Sequence, residues 1–170
     1  LLDTADALSS YQTKERKLEI LKDSHAGAFA VITACCYFTA CLGIWSELRE
    51  EQVRLLAGGY VLSRAFSGLA VAAFPSAKKS GTVAMFADAA QKRCVEISMY
   101  VLVVFSAGYM CLTNVKMGAA ALAGAWLTFV YYYRMSKKQF GGITGDLAGF
   151  FLQICELVMA GSVYLAGKLF

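Results

Sequence analysis

Proline, histidine and charged residues are scarce in this sequence. Of its 170 residues, one is proline, one is histidine and 16% are charged. The single histidine, His25, has no Cys or His partner at ligand spacing, which argues against a zinc site and leaves it without a predicted catalytic role. The low charge, together with 58% hydrophobic residues, excludes an ordinary soluble domain, because apolar runs recur along the whole chain.

Two other kinds of protein are disfavoured by missing patterns. The net charge is +4, yet the basic residues form no stripe with interleaved aromatic side chains, as a nucleic-acid surface would. The six cysteines show neither CxxC nor Cys/His metal spacing, so we expect no disulfide framework. All but Cys94 lie inside apolar runs, which predicts small, buried hydrophobic side chains.

The sequence does contain charge-poor apolar runs long enough, or nearly so, to cross a bilayer, which takes about 20 apolar residues. They predict five spans, at about 24–46, 55–77, 95–115, 117–133 and 147–167. The expected fold is all-α: a polytopic transmembrane helical bundle in one domain, residues 1–170, with a short amphipathic N-terminal segment. The shortest run, 117–133, has Gly118, Ala121 and Gly124 near one face, which favours tight helix packing.

The lysines and arginines between these runs predict the orientation of the chain. Their numbers in successive gaps are four, two, four, one, three and one, an alternation that follows the positive-inside rule. We therefore expect residues 1–23, 75–93 and 134–146 on the cytoplasmic side, so that the two ends of the sequence meet at one face. A chain that begins at Leu1 without a signal-peptide pattern also predicts that an N-terminal part of the full protein is missing.

The N-terminal segment is rich in carboxylates at helical spacing. They are Asp3, Asp6, Glu15, Glu19 and Asp23. The last three recur every four residues, which makes one acidic row beside an apolar pair and predicts a helix lying along the membrane surface. The row is either a solvated face interleaved with lysines or a Mg²⁺ site, because Mg²⁺ prefers carboxylate oxygens and often bridges them to phosphates.

A glycine-rich turn precedes the last apolar run. Gly141, Gly142 and Gly145 come just before a predicted helix that begins near Asp146. Backbone N–H groups in such a turn, at a helix N-terminus, can bind a phosphate. The alternative is a plain loop in which Thr144 or Asp146 caps the helix.

Two charges lie deep inside predicted spans. Glu156 is ten residues past Asp146, roughly 15 Å further along a helix, and Arg64 is expected at a similar depth. Charges near the bilayer centre face the bundle interior and are usually paired or functional. Arg64 and Glu156 therefore either neutralise each other or form the floor of a polar cavity that opens to the cytoplasm.

Four stretches together resemble the cobalamin synthase (adenosylcobinamide-GDP ribazoletransferase) family. They are LDTADAL at 2–8, ERKLEILKDSHAG at 15–27, LSRAFSGLAVAAFPSAKKSG at 62–81 and GGITGDLAG at 141–149. The resemblance covers essentially the whole chain. It departs at Ala7, where the family usually has glycine, and at His25, where arginine is common, and the family's first aspartate lies upstream of Asp3.

The resemblance implies an integral membrane transferase of the prokaryotic cytoplasmic (inner) membrane, with its active face toward the cytoplasm. Members join α-ribazole or its 5′-phosphate to adenosylcobinamide-GDP, release GMP and require Mg²⁺. The expected partners are thus these two substrates and membrane lipid, with no nucleic acid and with a homo-oligomer left open.

The resemblance also implies roles for individual residues. The implied metal ligands are Asp3, Asp6, Asp23 and Asp146. The implied catalytic residues are Asp23, Asp146 and, as a candidate base, Glu19. The implied substrate-binding residues are Lys22, Gly141, Gly142, Thr144, Gly145, Arg64 and Glu156.

Two other functions remain as alternatives. A CDP-alcohol phosphotransferase is also a membrane enzyme with clustered aspartates, but its DG-x2-AR…G…D pattern does not occur here. A small transporter would place Arg64 and Glu156 on its pathway, and it predicts paired repeats and broken spans. The sequence has no repeat, and its only proline, Pro75, falls at the end of a predicted span.

Overall fold

A computed structural model describes residues 1–23, 25–77 and 92–169. These residues form seven α-helices and one π-helix, with no β-strand beyond a single isolated bridge. The helices are α1 (Leu2–Ser9), α2 (Lys14–Ile20), α3 (Ala28–Trp45), α4 (Glu50–Ala73), α5 (Lys92–Thr113), α6 (Val115–Met135), the π-helix (Ser136–Phe140) and α7 (Gly145–Leu169). The predicted all-α class is confirmed. Most of the basic loop predicted at 75–93, from residue 78 to 91, lies outside the described residues.

Among the described residues, four helices are long and apolar enough to cross a membrane: α3, α4, α5 and α7. The predicted count of five spans is therefore one too high. The fourth run, 117–133, does form a helix, α6, but by its composition it does not qualify as a span. Its small residues and its run of three tyrosines lower the hydropathy of a membrane-length stretch of α6 below that of α3, α4, α5 and α7.

The second span begins and ends earlier than predicted, at Glu50–Ala73 instead of 55–77. The helix begins earlier because it includes the charged residues Glu50, Glu51 and Arg54, which the predicted apolar run left out. Its end is set by Pro75, because a proline disfavours helical geometry at the residue before it. Phe74 accordingly adopts an extended conformation, with φ −89° and ψ 149°.

The core lies between α4, α6 and α7, and the predicted small-residue face of α6 is part of it. Gly118 and Ala121 are buried, and a Cβ on Gly118 would lie 2.7 Å from the Met110 carbonyl oxygen of α5. A Cβ on Gly124 would lie 2.7 Å from the Ser162 Oγ of α7. Small residues therefore allow close approach on both sides of α6, as predicted.

The helices α3 and α5 turn most of their apolar side chains outward, as lipid-facing helices do. This corrects the prediction that the cysteines inside apolar runs are buried. Only Cys155 of α7 is buried, whereas Cys35 and Cys36 of α3 are exposed. An apolar run is expected of any spanning helix, and it does not distinguish a core-facing side chain from a lipid-facing one.

We expect Tyr132→Phe to leave the protein as stable as the wild type or to stabilise it. The Tyr132 ring stacks on Phe151 at 4.9 Å between centroids, while its hydroxyl is buried with no hydrogen-bond partner among the described residues. An unsatisfied buried polar group costs about 1–3 kcal/mol, and phenylalanine keeps the ring while removing that group. Thermal unfolding in detergent measures the effect, and a clear loss of stability would contradict it.

Candidate active site

Two backbone hydrogen bonds join the glycine turn to the loop that follows α4. The Ile143 N–H donates to the Pro75 carbonyl at 2.9 Å, and the Ala77 N–H donates to the Ile143 carbonyl at 3.0 Å. Gly142 permits this approach, because a Cβ there would lie 2.6 Å from the Ala77 nitrogen. The turn, this loop, α1 and α2 together form what we call the polar end of the bundle.

Most amides of the glycine turn already have protein acceptors. The N–H groups of Gly141 and Gly142 both donate to the Ser136 carbonyl, and Gly141 adopts φ +77°, a conformation that favours glycine. Both glycines thus have a structural reason to be present, and neither N–H is free for the predicted phosphate contact.

The start of α7 retains free donors. The Thr144 hydroxyl accepts the Leu147 N–H at 3.3 Å, so Thr144 caps the helix, as the loop interpretation predicted. The first turn of a helix has no intrahelical acceptors for its N–H groups. The N–H groups of Gly145 and Asp146 are therefore the donors that this turn can offer to an anion.

The two ends of the sequence meet at the polar end. The carboxylates of Asp3 and Asp146 both interact electrostatically with the backbone nitrogen of Leu1. Both carboxylates must therefore lie near that one group. α1 packs against α7 and α2 packs against the π-helix. The predicted meeting of the two ends is confirmed, and its cytoplasmic orientation stays a prediction.

Asp6 caps the N-terminus of α3. Its two carboxylate oxygens accept the N–H groups of Gly27 at 2.6 Å and Ala30 at 2.8 Å. A Cβ on Gly27 would lie 2.8 Å from these oxygens, so the glycine makes room for them. A carboxylate has about four acceptor positions, which leaves each oxygen able to accept one further bond or a metal ion.

Asp6 and Asp23 face the same cavity. It has a volume of about 390 Å³ and is also lined by Ser9, Ser10 and His25. One Asp23 oxygen accepts the His25 backbone N–H at 3.0 Å and lies 2.7 Å from the ring Nδ1. These hydrogen bonds hold the pKa of the Asp23 carboxyl below its usual value, which keeps it ionised and able to bind a cation.

The predicted metal ligands fall into two pairs, Asp6 with Asp23 at the cavity and Asp3 with Asp146 near Leu1. Over residues 1–23, 25–77 and 92–169, no three His, Cys, Asp or Glu side chains are grouped closely enough to hold a metal ion. Mg²⁺ commonly takes only one or two protein carboxylates and completes its shell with water and phosphate oxygens. Either pair fits that donor chemistry, and the four-ligand set is not assembled.

The two predicted functional residues of α2 are exposed. Glu19 forms an ion pair with Arg16 at 2.6 Å, with 61% of its side chain exposed, and it does not line the Asp6–Asp23 cavity. Lys22 is exposed as well. The residue that the sequence reasoning missed is Lys17, which is buried. Its spacing of four from the buried Leu21 was the available signal, because it puts both on one helix face.

Arg64 and Glu156 form the predicted ion pair, at 2.7 Å. The Ser63 hydroxyl also donates to Glu156 at 2.9 Å, so the carboxylate of α7 is held by two groups of α4. The two charges line separate cavities, and that of Arg64, about 490 Å³, is walled mainly by apolar side chains of α4 and α5. The pairing is confirmed, and a contact of either residue with substrate stays a prediction.

We expect Arg64→Met and Glu156→Gln to destabilise the protein less in combination than the sum of their separate effects. Removing one partner leaves the other charge unpaired within an apolar bundle, although the Arg64 side chain is 61% exposed against 20% for Glu156. Coupling between contacting charged residues is about 0.5–3 kcal/mol. Thermal unfolding of the two single variants and the double variant measures it, and strictly additive losses would rule the pair out as a stabilising contact.

Comparison with known proteins agrees with this arrangement. The family model described as cobalamin-5-phosphate synthase matches residues 1–164. The curated adenosylcobinamide-GDP ribazoletransferase of Lachnoclostridium phytofermentans is 46% identical over 96% of this chain and 63% of its own length. That of Clostridium perfringens (strain SM101) is 31% identical over 91% of this chain and 62% of its own. That of Geobacillus kaustophilus is 30% identical over 96% of this chain and 64% of its own.

The chain thus spans a little under two thirds of the length of these curated relatives. No solved structure matches it. Since the family match extends from the acidic N-terminal segment through the glycine turn and most of α7, the chain belongs to the cobalamin-5-phosphate synthase family.

Proposed function

We propose that the full-length protein transfers the cobinamide-phosphate part of adenosylcobinamide-GDP to α-ribazole or its 5′-phosphate. The products are adenosylcobalamin, or its phosphate, and GMP. Family membership and the name shared by the relatives support this reaction. The observation that carries it is the meeting of the acidic segment with the start of α7, because it places carboxylates and free helix N–H groups at one end of the bundle.

The reaction exchanges one phosphorus–oxygen bond for another. A ribazole hydroxyl oxygen attacks the phosphorus attached to cobinamide, the bond from that phosphorus to the GMP oxygen breaks, and the hydroxyl proton passes to a base. Phosphoryl transfer of this kind depends mainly on in-line positioning and on neutralising the charge of the phosphate oxygens. A protein therefore needs cation-holding carboxylates and well-placed donors more than a covalent nucleophile.

The described residues can supply these parts at the polar end. Asp6 with Asp23, or Asp3 with Asp146, would hold Mg²⁺, which neutralises diphosphate charge when bound. The N–H groups of Gly145 and Asp146 at the positive end of α7 would receive a phosphate oxygen.

The described contacts give less support to the roles of the remaining predicted residues. Lys22, exposed at the same end, remains a proposed phosphate contact. Glu19 remains the proposed base, and its ion pair with Arg16 would have to open for it to act. Arg64 and Glu156 are proposed to shape the deeper part of the substrate site through their ion pair.

We place the protein in the prokaryotic cytoplasmic membrane with its polar end toward the cytoplasm. The support is the alternation of lysines and arginines between the helices, which follows the positive-inside rule. The nucleotide substrate and the GMP product would then enter and leave on the cytoplasmic side.

The deciding assay uses membranes that contain the full-length protein. They are incubated with adenosylcobinamide-GDP, α-ribazole and Mg²⁺, and we expect GMP and adenosylcobalamin to appear in equal amounts. A parallel reaction with a Mg²⁺ chelator should give neither product. Uptake of substrate into sealed vesicles without any GMP release would instead favour a transporter and overturn the proposed function.

A further inference from the structure

Lys17 is the one charged residue that is buried in the part of the chain that the structure describes, with 5% of its surface exposed. It lies on α2 where that helix packs against the π-helix. Its Nζ donates to the side-chain Oε1 of Gln139 at 2.7 Å. Within the described ranges, no Asp or Glu oxygen lies within 4 Å of the ammonium.

A buried ammonium normally has a carboxylate partner. Lysines are almost never fully buried unless they are paired, because removing the charge from water is costly. Gln139 offers a neutral oxygen, which satisfies one of the three N–H donors of the ammonium and contributes no opposite charge. Two donors and the whole positive charge are left without a partner among the described residues.

The position of this charge indicates what compensates it. Gln139 belongs to the π-helix, two residues before Gly141, at the beginning of the turn that leads to α7. Here the π-helix brings the Gln139 side chain to Lys17, and so fixes the ammonium beside the proposed phosphate-binding end of the bundle.

We infer that Lys17 binds a phosphate oxygen of the diphosphate substrate, with Gln139 as its positioning residue. This inference rests on the proposed function and adds to it the cation that faces the diphosphate. An anionic lipid headgroup presents the same phosphate chemistry, and the experiment below separates the two sources. Hydrogen bonds from an ammonium to phosphate are charge-assisted and stronger than neutral ones.

The test compares Lys17→Met with Lys14→Met in the full-length protein, reconstituted in phosphatidylcholine nanodiscs. Both changes remove one positive charge from α2, but Lys14 is exposed. We expect Lys17→Met to raise the KM for adenosylcobinamide-GDP at least about tenfold, because a hydrogen bond to a charged group is lost. The unfolding temperature should not fall, since methionine keeps the apolar stem and removes the buried charge. Lys14→Met should change neither quantity.

A second variant adds the missing countercharge. Gln139→Glu places a carboxylate beside the Lys17 ammonium, so we expect a higher unfolding temperature together with a higher KM. If the contact between Lys17 and Gln139 is purely structural, Lys17→Met should instead lower the unfolding temperature and leave the KM unchanged. That result would overturn the inference.

Binding of GDP separates this inference from the proposed function. GDP should raise the unfolding temperature of the wild type, because a ligand stabilises the state that binds it, and Lys17→Met should lose most of that rise. If wild type binds GDP in this way but forms no product, the proposed function fails while the inference stands. If phosphatidylglycerol nanodiscs raise the unfolding temperature through Lys17 and GDP does not, the substrate assignment is overturned in favour of lipid.

Discussion

Asp146→Asn in the full-length protein is expected to lower turnover by at least a hundredfold to a thousandfold, the size of loss seen when one charge-stabilising group is removed from an active site. The change preserves shape and removes only the negative charge. The carboxylate of Asp146 shares the surroundings of Leu1 with Asp3, so its loss leaves that pair with one charge for binding a cation. Asp23→Asn, which leaves the other pair with one charge, is expected to have a comparable effect.

The fold should survive this substitution. Thr144, not Asp146, caps α7, and a carboxylate in the first turn adds only about 0.3–1 kcal/mol through the helix dipole. Membrane insertion and the unfolding temperature should therefore stay close to those of the wild type. Glu47→Gln is a matched control, because Glu47 follows α3 at the opposite end of the bundle and pairs with Lys168 at 3.4 Å. Wild-type turnover in Asp146→Asn would remove that residue from the site.

The dependence on Mg²⁺ distinguishes the two carboxylate pairs. If one member of the pair that holds the ion is replaced by asparagine, the enzyme should require a higher Mg²⁺ concentration for half-maximal activity. If Asp3→Asn raises that concentration and Asp6→Asn does not, the metal lies near Leu1. The reverse result assigns it to the cavity of Asp6 and Asp23, and an unchanged Mg²⁺ requirement in both variants would contradict either assignment.

Gly142→Ala is expected to destabilise the protein by about 3 kcal/mol. The added Cβ would lie 2.6 Å from the Ala77 nitrogen and 2.7 Å from the Ser76 carbonyl carbon, and backbone atoms cannot rotate away as a side chain can. Relief requires the two loops to separate, which loses the hydrogen bonds that Ile143 makes with Pro75 and Ala77. Overpacking costs about 1–3 kcal/mol, and each lost hydrogen bond adds about 1 kcal/mol.

Gly149→Ala provides the matched control. Gly149 lies inside α7, and a Cβ there would meet nothing within 4 Å, so alanine should be neutral or stabilise the helix by about 0.5–1 kcal/mol. Chemical or thermal unfolding in detergent measures both variants. Turnover of Gly142→Ala should also fall, because the turn positions Asp146. If the two alanine variants prove equally stable, the close approach of the two loops is not a feature of the protein in its membrane.

The sequence predicted local features well where one segment contains their cause. Apolar runs predicted the positions of the long helices, and Pro75 ended the second one, although four residues earlier than the apolar pattern indicated. The alternation of basic residues predicted that the two ends of the chain meet, which the surroundings of Leu1 confirm. Opposite charges at similar depth predicted the contact between Arg64 and Glu156.

The sequence showed less where the answer depends on the partner that a side chain or an amide finds in the fold. Glu19 was predicted as a candidate base; it forms an ion pair with Arg16 on the exposed side of α2, and its catalytic role stays a prediction. The amides of Gly141 and Gly142 looked free for phosphate until Ser136 supplied their acceptor. Lys17 looked like one lysine among several in a basic segment, and only the packing of α2 on the π-helix buries it.

By itself the sequence determined that this is a helical membrane protein with its acidic segment and its glycine turn on one face. The hydrophobicity of a segment and the charges that flank it set the free energy of transferring that segment from water into lipid, and they do so for each segment separately. Only the tertiary structure decided which side chains and amides already have hydrogen-bond or ion-pair partners and which remain available to bind a ligand. Such partners can lie far apart along the chain, as Lys17 and Gln139 do at a separation of 122 positions, and nothing in the local pattern around either residue encodes the other.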